Sequence, residues 1–299
     1  MIQITELTKC FDSICAVNHI SLEIADGEVF GLLGTNGAGK TTLLRLLSGI
    51  LSPDEGSVSV DGQTDMADPE VKKNIFYLPD SPYYFPNASM EDMVRFYKRQ
   101  YEDMEYDGVS YMAEQLNLDM RQPLRTFSKG MKRQAFLIFA LSAGTKYLLC
   151  DEVFDGLDPV VTEVMKNLFR QEMKTRQLTV VVAAHKLNDL EDFCQDIAIL
   201  HQGGVITAGD MKDRASMIHK VQCVLKEDAE EYLKKCLNIL RYHREGDFVT
   251  LIIRGDAERT KEVIAELKPI FLSQIPMTLE ETFIAEMEGT GYDIRKVLQ

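Results

Sequence analysis

The sequence is short of positive charge: 33 lysines and arginines stand against 47 aspartates and glutamates, a formal net charge of -14 over 299 residues. A protein whose main task is gripping nucleic acid needs a basic face, so a nucleic-acid partner is not expected. No stretch approaches the roughly 20 apolar positions of a membrane-spanning helix. The amino-terminal MIQITELTKC carries Glu6 and lacks the apolar core of a secretory signal. The expectation is a cytosolic chain, with any role at a membrane exercised through another polypeptide. Cys-x-x-Cys pairs are missing as well. Cys10, Cys15, Cys150, Cys194, Cys223 and Cys236 are scattered, and Cys150 and Cys223 lie in apolar or strand-like runs where cysteine behaves as a small hydrophobe. Neither a metal site built on cysteine nor a disulfide is expected.

What is present is ordinary globular material, 45% hydrophobic and 27% charged. The length allows one large domain or two unequal ones, with a core that needs no cross-links. There is no internal repeat and no low-complexity segment. ISLEIA and EVFGLLG read as strands on either side of Asp26-Gly27, a dipeptide of tight hairpin turns, and Asp61-Gly62 repeats the signal after SVSV. Leucines at helical spacing follow in 40-KTTLLRLLSGI-50. A short strand, 74-NIFYLP-79, precedes a helical region at about 88–144 whose start carries Ser89 and Asp92 at capping-box spacing. The buried-looking strands 146-KYLLC-150, 178-LTVVVAA-184 and 196-DIAIL-200 then alternate with helices, the pattern of a parallel α/β sheet. From Val221 the order is strand (VQCVL), helix (AEEYLKKCL), strand (FVTLII), helix (AERTKEVIAEL), with a last capping box at 278-TLEE-281. Two units are expected: residues 1–215, and an α+β unit at 216–299.

One stretch carries chemistry on its own. Gly34-Thr35-Asn36-Gly37-Ala38-Gly39-Lys40-Thr41 matches GxxxxGK[ST] in full, after a strand and at the start of a helix. Glycines let successive N–H groups turn toward phosphate oxygens, and the helix start adds partial positive charge. Lys40 can reach the terminal phosphates and the Thr41 hydroxyl can ligate Mg²⁺. Strand 147–150 ends in Asp151-Glu152, an acidic pair suited to a second metal contact and to a general base. His185 ends another apolar strand, which would bring it to the same carboxyl edge of the sheet.

In this order GTNGAGKT, FSKGM (127–131), LLCDE, GLD (156–158) and AAH (183–185) resemble the ATPase subunit of an ATP-binding cassette (ABC) transporter over roughly residues 1–215. The resemblance implies a P-loop NTPase fold with an antiparallel β subdomain and a helical signature subdomain, with the C-terminal α+β domain as an accessory. It implies ATP and Mg²⁺ as ligands, with phosphate contacts along Gly34 to Thr42. Thr41 and Asp151 would hold the metal, Glu152 would be the base and His185 the switch histidine. Ser128 and Gly130 would contact the ATP held by a second ATPase subunit, with Asp158 in a loop at that interface. Phe11 falls where the family stacks an aromatic on adenine, with Val17 nearby, although as a bare sequence feature Phe11 reads as core. FSKGM keeps the signature's Ser128 and Gly130, while Lys129 and Met131 depart toward a form similar to drug- or antibiotic-export cassettes that pair with a separate permease.

Two further departures stand out. Asp80 occupies the place of the family's usual glutamine, where a carboxylate could still ligate Mg²⁺ or orient water but could not donate a hydrogen bond when ionised. Val153 stands where proline is common. The loop 81-SPYYFPN-87 carries three aromatics that either pack under the helical arm or meet a permease. A GTPase would need an NKxD-like guanine reader, which is missing; a soluble cassette ATPase with a non-transport partner is the alternative. The expected place is the cytoplasm, peripheral to the cell membrane through the permease.

Overall fold

The computed structural model describes residues 1–210, 217–278, 281, 282, 284 and 285. The chain divides into two compact units, Met1–Gly209 and Asp210–Gln299. The expected boundary between 215 and 216 lies outside the described residues.

The first unit contains two sheets. Strands β1 (Ile2–Phe11), β2 (Ile14–Ile24) and β4 (Glu55–Val60) pair antiparallel in the order β2-β1-β4. Strands β3 (Val29–Leu33), β5 (Ile75–Leu78), β6 (Tyr147–Asp151), β7 (Thr179–Ala184), β8 (Asp196–His201) and β9 (Gly204–Asp210) form the second, in the order β5-β6-β7-β3-β8-β9. Pairing is parallel from β5 through β8. Every residue of VFGLL, YLLCD and TVVVAA is buried, as strands covered on both faces require.

Two local expectations are corrected here. Asp26-Gly27 does not close a hairpin: β2 and β3 belong to different sheets, and Gly27 at φ 77° turns the chain from one to the other. Cys10 and Cys15 form a disulfide. The register of the β1–β2 hairpin sets them opposite each other, a pairing that spacing along the chain does not reveal. The two sheets are tied together at Tyr147, whose hydroxyl donates to Asp61 Oδ1 at 2.6 Å and lies 2.8 Å from Asp26 Oδ1. Lys146 Nζ adds contacts of 2.7 Å to Asp61 and 2.9 Å to Asp26.

Six helices complete the unit: α1 (Lys40–Leu47), α2 (Pro69–Lys73), α3 (Met90–Tyr97), α4 (Tyr106–Gln115), α5 (Lys129–Ser142) and α6 (Pro159–Thr175). The predicted capping box opens α3, with Asp92 N–H donating to Ser89 Oγ and Ser89 N–H to Asp92 Oδ2. An aromatic seam joins the helical region to the sheet: Phe76 on β5 meets Tyr97 at 5.5 Å, and Tyr97 meets Phe139 on α5 at 5.6 Å.

The second unit runs β10 (Ile218–Val224), α7 (Glu230–Cys236), β11 (Asn238–Glu245), β12 (Phe248–Arg254), α8 (Ala257–Glu266), β13 (Phe271–Ile275). Its sheet order is β11-β12-β10-β13 with every pair antiparallel, the ferredoxin-like split β-α-β arrangement. Val221, Cys223, Val249, Leu251 and Ile253 alternate onto one face and form the core with Leu233 and Ile264. The last predicted capping box is present, Thr278 and Glu281 exchanging hydrogen bonds of 3.1 Å each.

Candidate functional site

Because β3, β5, β6 and β7 are parallel, their carboxyl ends share one edge of the sheet. At or just beyond these ends stand Gly34–Lys40, Asp80, Asp151-Glu152 and His185. This edge is where open α/β sheets bind ligands.

The loop after β3 is shaped by its glycines. A Cβ on Gly39 (φ 107°) would lie 2.1 Å from Ala16 O of β2, and one on Gly34 would lie 2.6 Å from Leu200 O. Gly37 (φ 81°) faces open space instead, with nothing within 4 Å of its ideal Cβ. Helix α1 starts at Lys40 with Gly39 as its N-cap and no side-chain cap, which leaves its first-turn N–H groups for an anion. Thr35, Asn36, Thr41 and Thr42 are exposed or half-buried along this loop, whereas the Ala38 methyl is buried. Lys40 is only 5% exposed. Its ammonium donates to Gly34 O at 2.6 Å and Thr35 O at 3.2 Å, and pairs with Glu152 Oε1 at 3.2 Å.

Glu152 stands at φ 52°, a left-handed conformation unusual for a residue with a Cβ, and its N–H donates to Ala183 O of β7 at 3.0 Å. That turn lets Oε1 reach Lys40 while Oε2 meets His185 Nδ1 at 2.8 Å. Asp151 beside it is buried, and its Oδ1 has no hydrogen-bond partner. Burial pushes the Asp151 carboxyl above its ordinary value; the Thr41 hydrogen bond and Lys40 act against that, and the negative charges of Glu152 and Asp80 add to it. A buried carboxylate oxygen without a partner, beside the Thr41 hydroxyl, fits a divalent cation. The Tyr77 hydroxyl lies 3.5 Å from Asp151 Oδ2.

Not every candidate lies here. Val17 is fully buried in the core, so it supports the hairpin rather than offering surface to a ligand; the expected contact is corrected on that ground. Phe11, which read as core from sequence alone, is 47% exposed at the hairpin tip, with Lys9 Nζ 5.8 Å from its ring centroid. Asp80 has a partner that the sequence did not announce: its carboxylate is paired with Arg133, and the same guanidinium donates to Asp80 O at 3.3 Å. Ser128 is the exposed N-cap of the fourteen-residue α5, its Oγ accepting from Met131 N–H at 3.1 Å. Gly130 approaches Leu157, 3.9 Å from an ideal Cβ, and Asp158 caps α6 by accepting from Val160 N–H at 2.9 Å. These residues start helices at the surface of the unit.

Sequence reasoning missed Tyr77, Arg133 and Asp155. Arg133 had one visible signal, a cation on α5 just before an apolar run, QAFLIFALS.

The model of the ABC transporter family matches residues 17–155. The ABC transporter ATP-binding protein YtrB of Bacillus subtilis (strain 168) is 30% identical over 289 residues, covering 97% of this chain and 99% of that protein. The structure of cbiO1 from Clostridium perfringens, described as part of the ABC transporter complex cbiONQ, is 26% identical with a TM-score of 0.62, covering 71% of this chain and 89% of that one. The ATP-binding cassette MJ0796, solved as a dimer in a post-hydrolysis state with ADP and Pi, shares the fold at 22% identity, TM-score 0.63, with 70% and 98% covered. With a phosphate loop, an acidic pair and a histidine assembled on one sheet edge, and a full-length relative that carries the same designation, the chain belongs to the family of ABC transporter ATP-binding subunits, which are ATPases.

Proposed function

We propose that two copies of this chain bind two ATP molecules between them, each site combining the loop Gly34–Thr42 of one copy with Ser128 and Gly130 of the other. The observation that carries this is the division of anion-binding features. Gly37 opens on empty space at the start of α1, and Ser128 stands exposed at the start of a second helix, α5, and is not among the groups bonded to Lys40. MJ0796 is described as a dimer with ADP and Pi, which supports the arrangement. Lys40 exchanges the carbonyls of Gly34 and Thr35 for phosphate oxygens, and Phe11 offers the adenine a flat exposed ring. Thr41 and Asp151 would hold Mg²⁺, which would supply positive charge against that of the phosphates. Glu152, oriented by His185, takes the proton of the attacking water.

The work of hydrolysis goes to a separate membrane permease, with the chain peripheral on the cytoplasmic side. Among the described residues no helix is long and apolar enough to cross a membrane. The relation to cbiO1, part of cbiONQ, supports a multi-subunit complex. A cleft of about 170 Å³ between the loop after β5 and the start of α5 is lined by Pro82, Tyr84, Lys132 and Phe136, and Tyr83 (72% exposed), Phe85 and Phe96 stand exposed in the same region. These aromatics are the proposed permease contact, and Lys129 with Met131 favours export. Glu152→Gln tests the core of this reading. Turnover should fall by about 10²–10⁴-fold with ATP affinity retained and the dimer accumulating in ATP. Turnover equal to wild type removes Glu152 from the mechanism.

A further inference from the structure

Arg133 is 7% exposed, on α5 five residues after Ser128, and the roles assigned above do not use it. Burying a guanidinium is costly unless its donors are paired. Here they are, on two different loops. One nitrogen holds the Asp80 carboxylate and carbonyl, after β5. The other donates to the Asp155 carbonyl and lies 4.0 Å from its carboxylate, after β6. Asp155 continues the line, with its carboxylate 3.9 Å from His185 Nε2 and 3.5 Å from Lys186 Nζ. The other ring nitrogen of His185 holds Glu152 at 2.8 Å. A line of charged side chains therefore runs Asp80, Arg133, Asp155, His185, Glu152, bonded at its two ends and in ion-pair range of 3.9–4.0 Å about Asp155. It passes through Arg133 on the helix that presents Ser128 and ends on the proposed base.

We propose that Arg133 is a positioning residue for hydrolysis: it locks the start of α5 to the loop that carries Asp155, and through Asp155 and His185 sets the place of Glu152, with Asp80 as its anchor rather than a magnesium ligand. This rests on the ATPase reading of the Glu152 site. The planar fork of arginine gives each loop its own nitrogen in a fixed geometry, which the compact ammonium of a lysine does not reproduce. The anchor explains why a carboxylate is useful where the family has an amide: the charge of Asp80 offsets that of a buried guanidinium.

The test uses the full chain, measuring ATP binding, kcat, KM and the Mg²⁺ concentration for half-maximal turnover in wild type, Arg133→Gln, Arg133→Lys, Asp80→Asn and the Asp80→Asn/Arg133→Gln double variant. Each single variant should lower kcat by on the order of tenfold, with KM for ATP and the Mg²⁺ midpoint unchanged. The double variant should be no worse than the more severe single, because both remove one pair. Arg133→Lys should recover little. If Asp80→Asn alone raises the Mg²⁺ midpoint, Asp80 is a metal contact and the proposal fails. Additive losses in the double variant also overturn it. A kcat per folded molecule equal to wild type, with only melting lowered, would make Arg133 a plain structural staple. Asp80 is half-exposed, so Asp80→Asn remains informative if Arg133→Gln does not fold. Lys40→Ala separates the two claims: a wild type whose hydrolysis does not depend on Lys40 sinks the ATPase reading itself, whereas Lys40-dependent hydrolysis indifferent to Arg133 and Asp80 sinks only this inference.

Discussion

Two of the sheets handle polarity in opposite ways. The six-stranded sheet gathers costly groups at one edge: Asp151 buried with an unpartnered oxygen, Lys40 and Arg133 almost wholly covered, Glu152 in a left-handed conformation. The four-stranded sheet buries an apolar face and leaves Lys220, Gln222, Thr250 and His243 on the other. Among its described residues the one buried side-chain atom without a partner is the neutral hydroxyl of Tyr242. Strain and unsatisfied charge persist only where surrounding structure holds them, and they concentrate at functional sites. The costly groups therefore gather in the first unit, and the described part of the second is built around an apolar core.

The largest expected effect asks whether that division is real. Leu251 is fully buried in the core of the second unit. Leu251→Ala should cost roughly 2–5 kcal/mol there. Amide exchange should quicken across β10 to β13 while β3, β6 and β7 keep their protection and ATP turnover is unchanged. A fall in turnover that tracks the loss of protection would show that the second unit supports catalysis, and the contrast would have to be redrawn.

A smaller effect of opposite sign should appear at the catalytic edge. The folded state raises the Asp151 carboxyl above its ordinary 3.8, chiefly by burial, so ionisation there opposes folding. With the folded value raised, this group's contribution to stability is present below pH 3.8 and lost as pH rises through the folded value. Asp151→Asn should therefore stabilise the nucleotide-free protein by about 0.5–2 kcal/mol while hydrolysis is lost, a trade that thermal melting beside an ATPase assay would register. A less stable Asp151→Asn would mean that its hydrogen bond to Thr41 and the attraction of Lys40 outweigh burial.

How much of this was legible in the sequence follows the same division. The phosphate loop, the Asp151-Glu152 pair and His185 could be read because each ends a strand buried on both faces, which writes itself as an unbroken apolar run. The α3 capping box was legible because its signal is local. Strands β11 and β13 were not. NILRYHRE lies near a sheet edge, and a register shift between Ile239 and Arg241 breaks its alternation. The Cys10–Cys15 bond, the Asp80–Arg133 pair and the burial of Val17 depend on which residues the fold sets opposite each other. Asp80 shows the limit most plainly: its place in the sequence pointed to a metal, and only the third dimension supplied the guanidinium that holds it.

The smallest effect belongs to the clasp between the two sheets of the first unit, whose charged groups are paired with one another. Burial alone would raise the Asp61 carboxyl, but hydrogen bonds from Lys146, Tyr147 and the amino-terminal nitrogen outweigh it and hold the group well below its ordinary 3.8. Asp26 is lowered by the same partners. A lowered carboxylate contributes stability that is present above pH 3.8 and lost as pH falls toward the folded value. Asp61 is 42% exposed, so solvent screening limits the contribution to less than about 1 kcal/mol. Melting temperature should drop below pH 4 more steeply in wild type than in Asp61→Asn, and the gap between the two at pH 7 should shrink in high salt. Parallel melting curves at every pH would show that the clasp adds nothing, and that Tyr147 joins the sheets by packing alone.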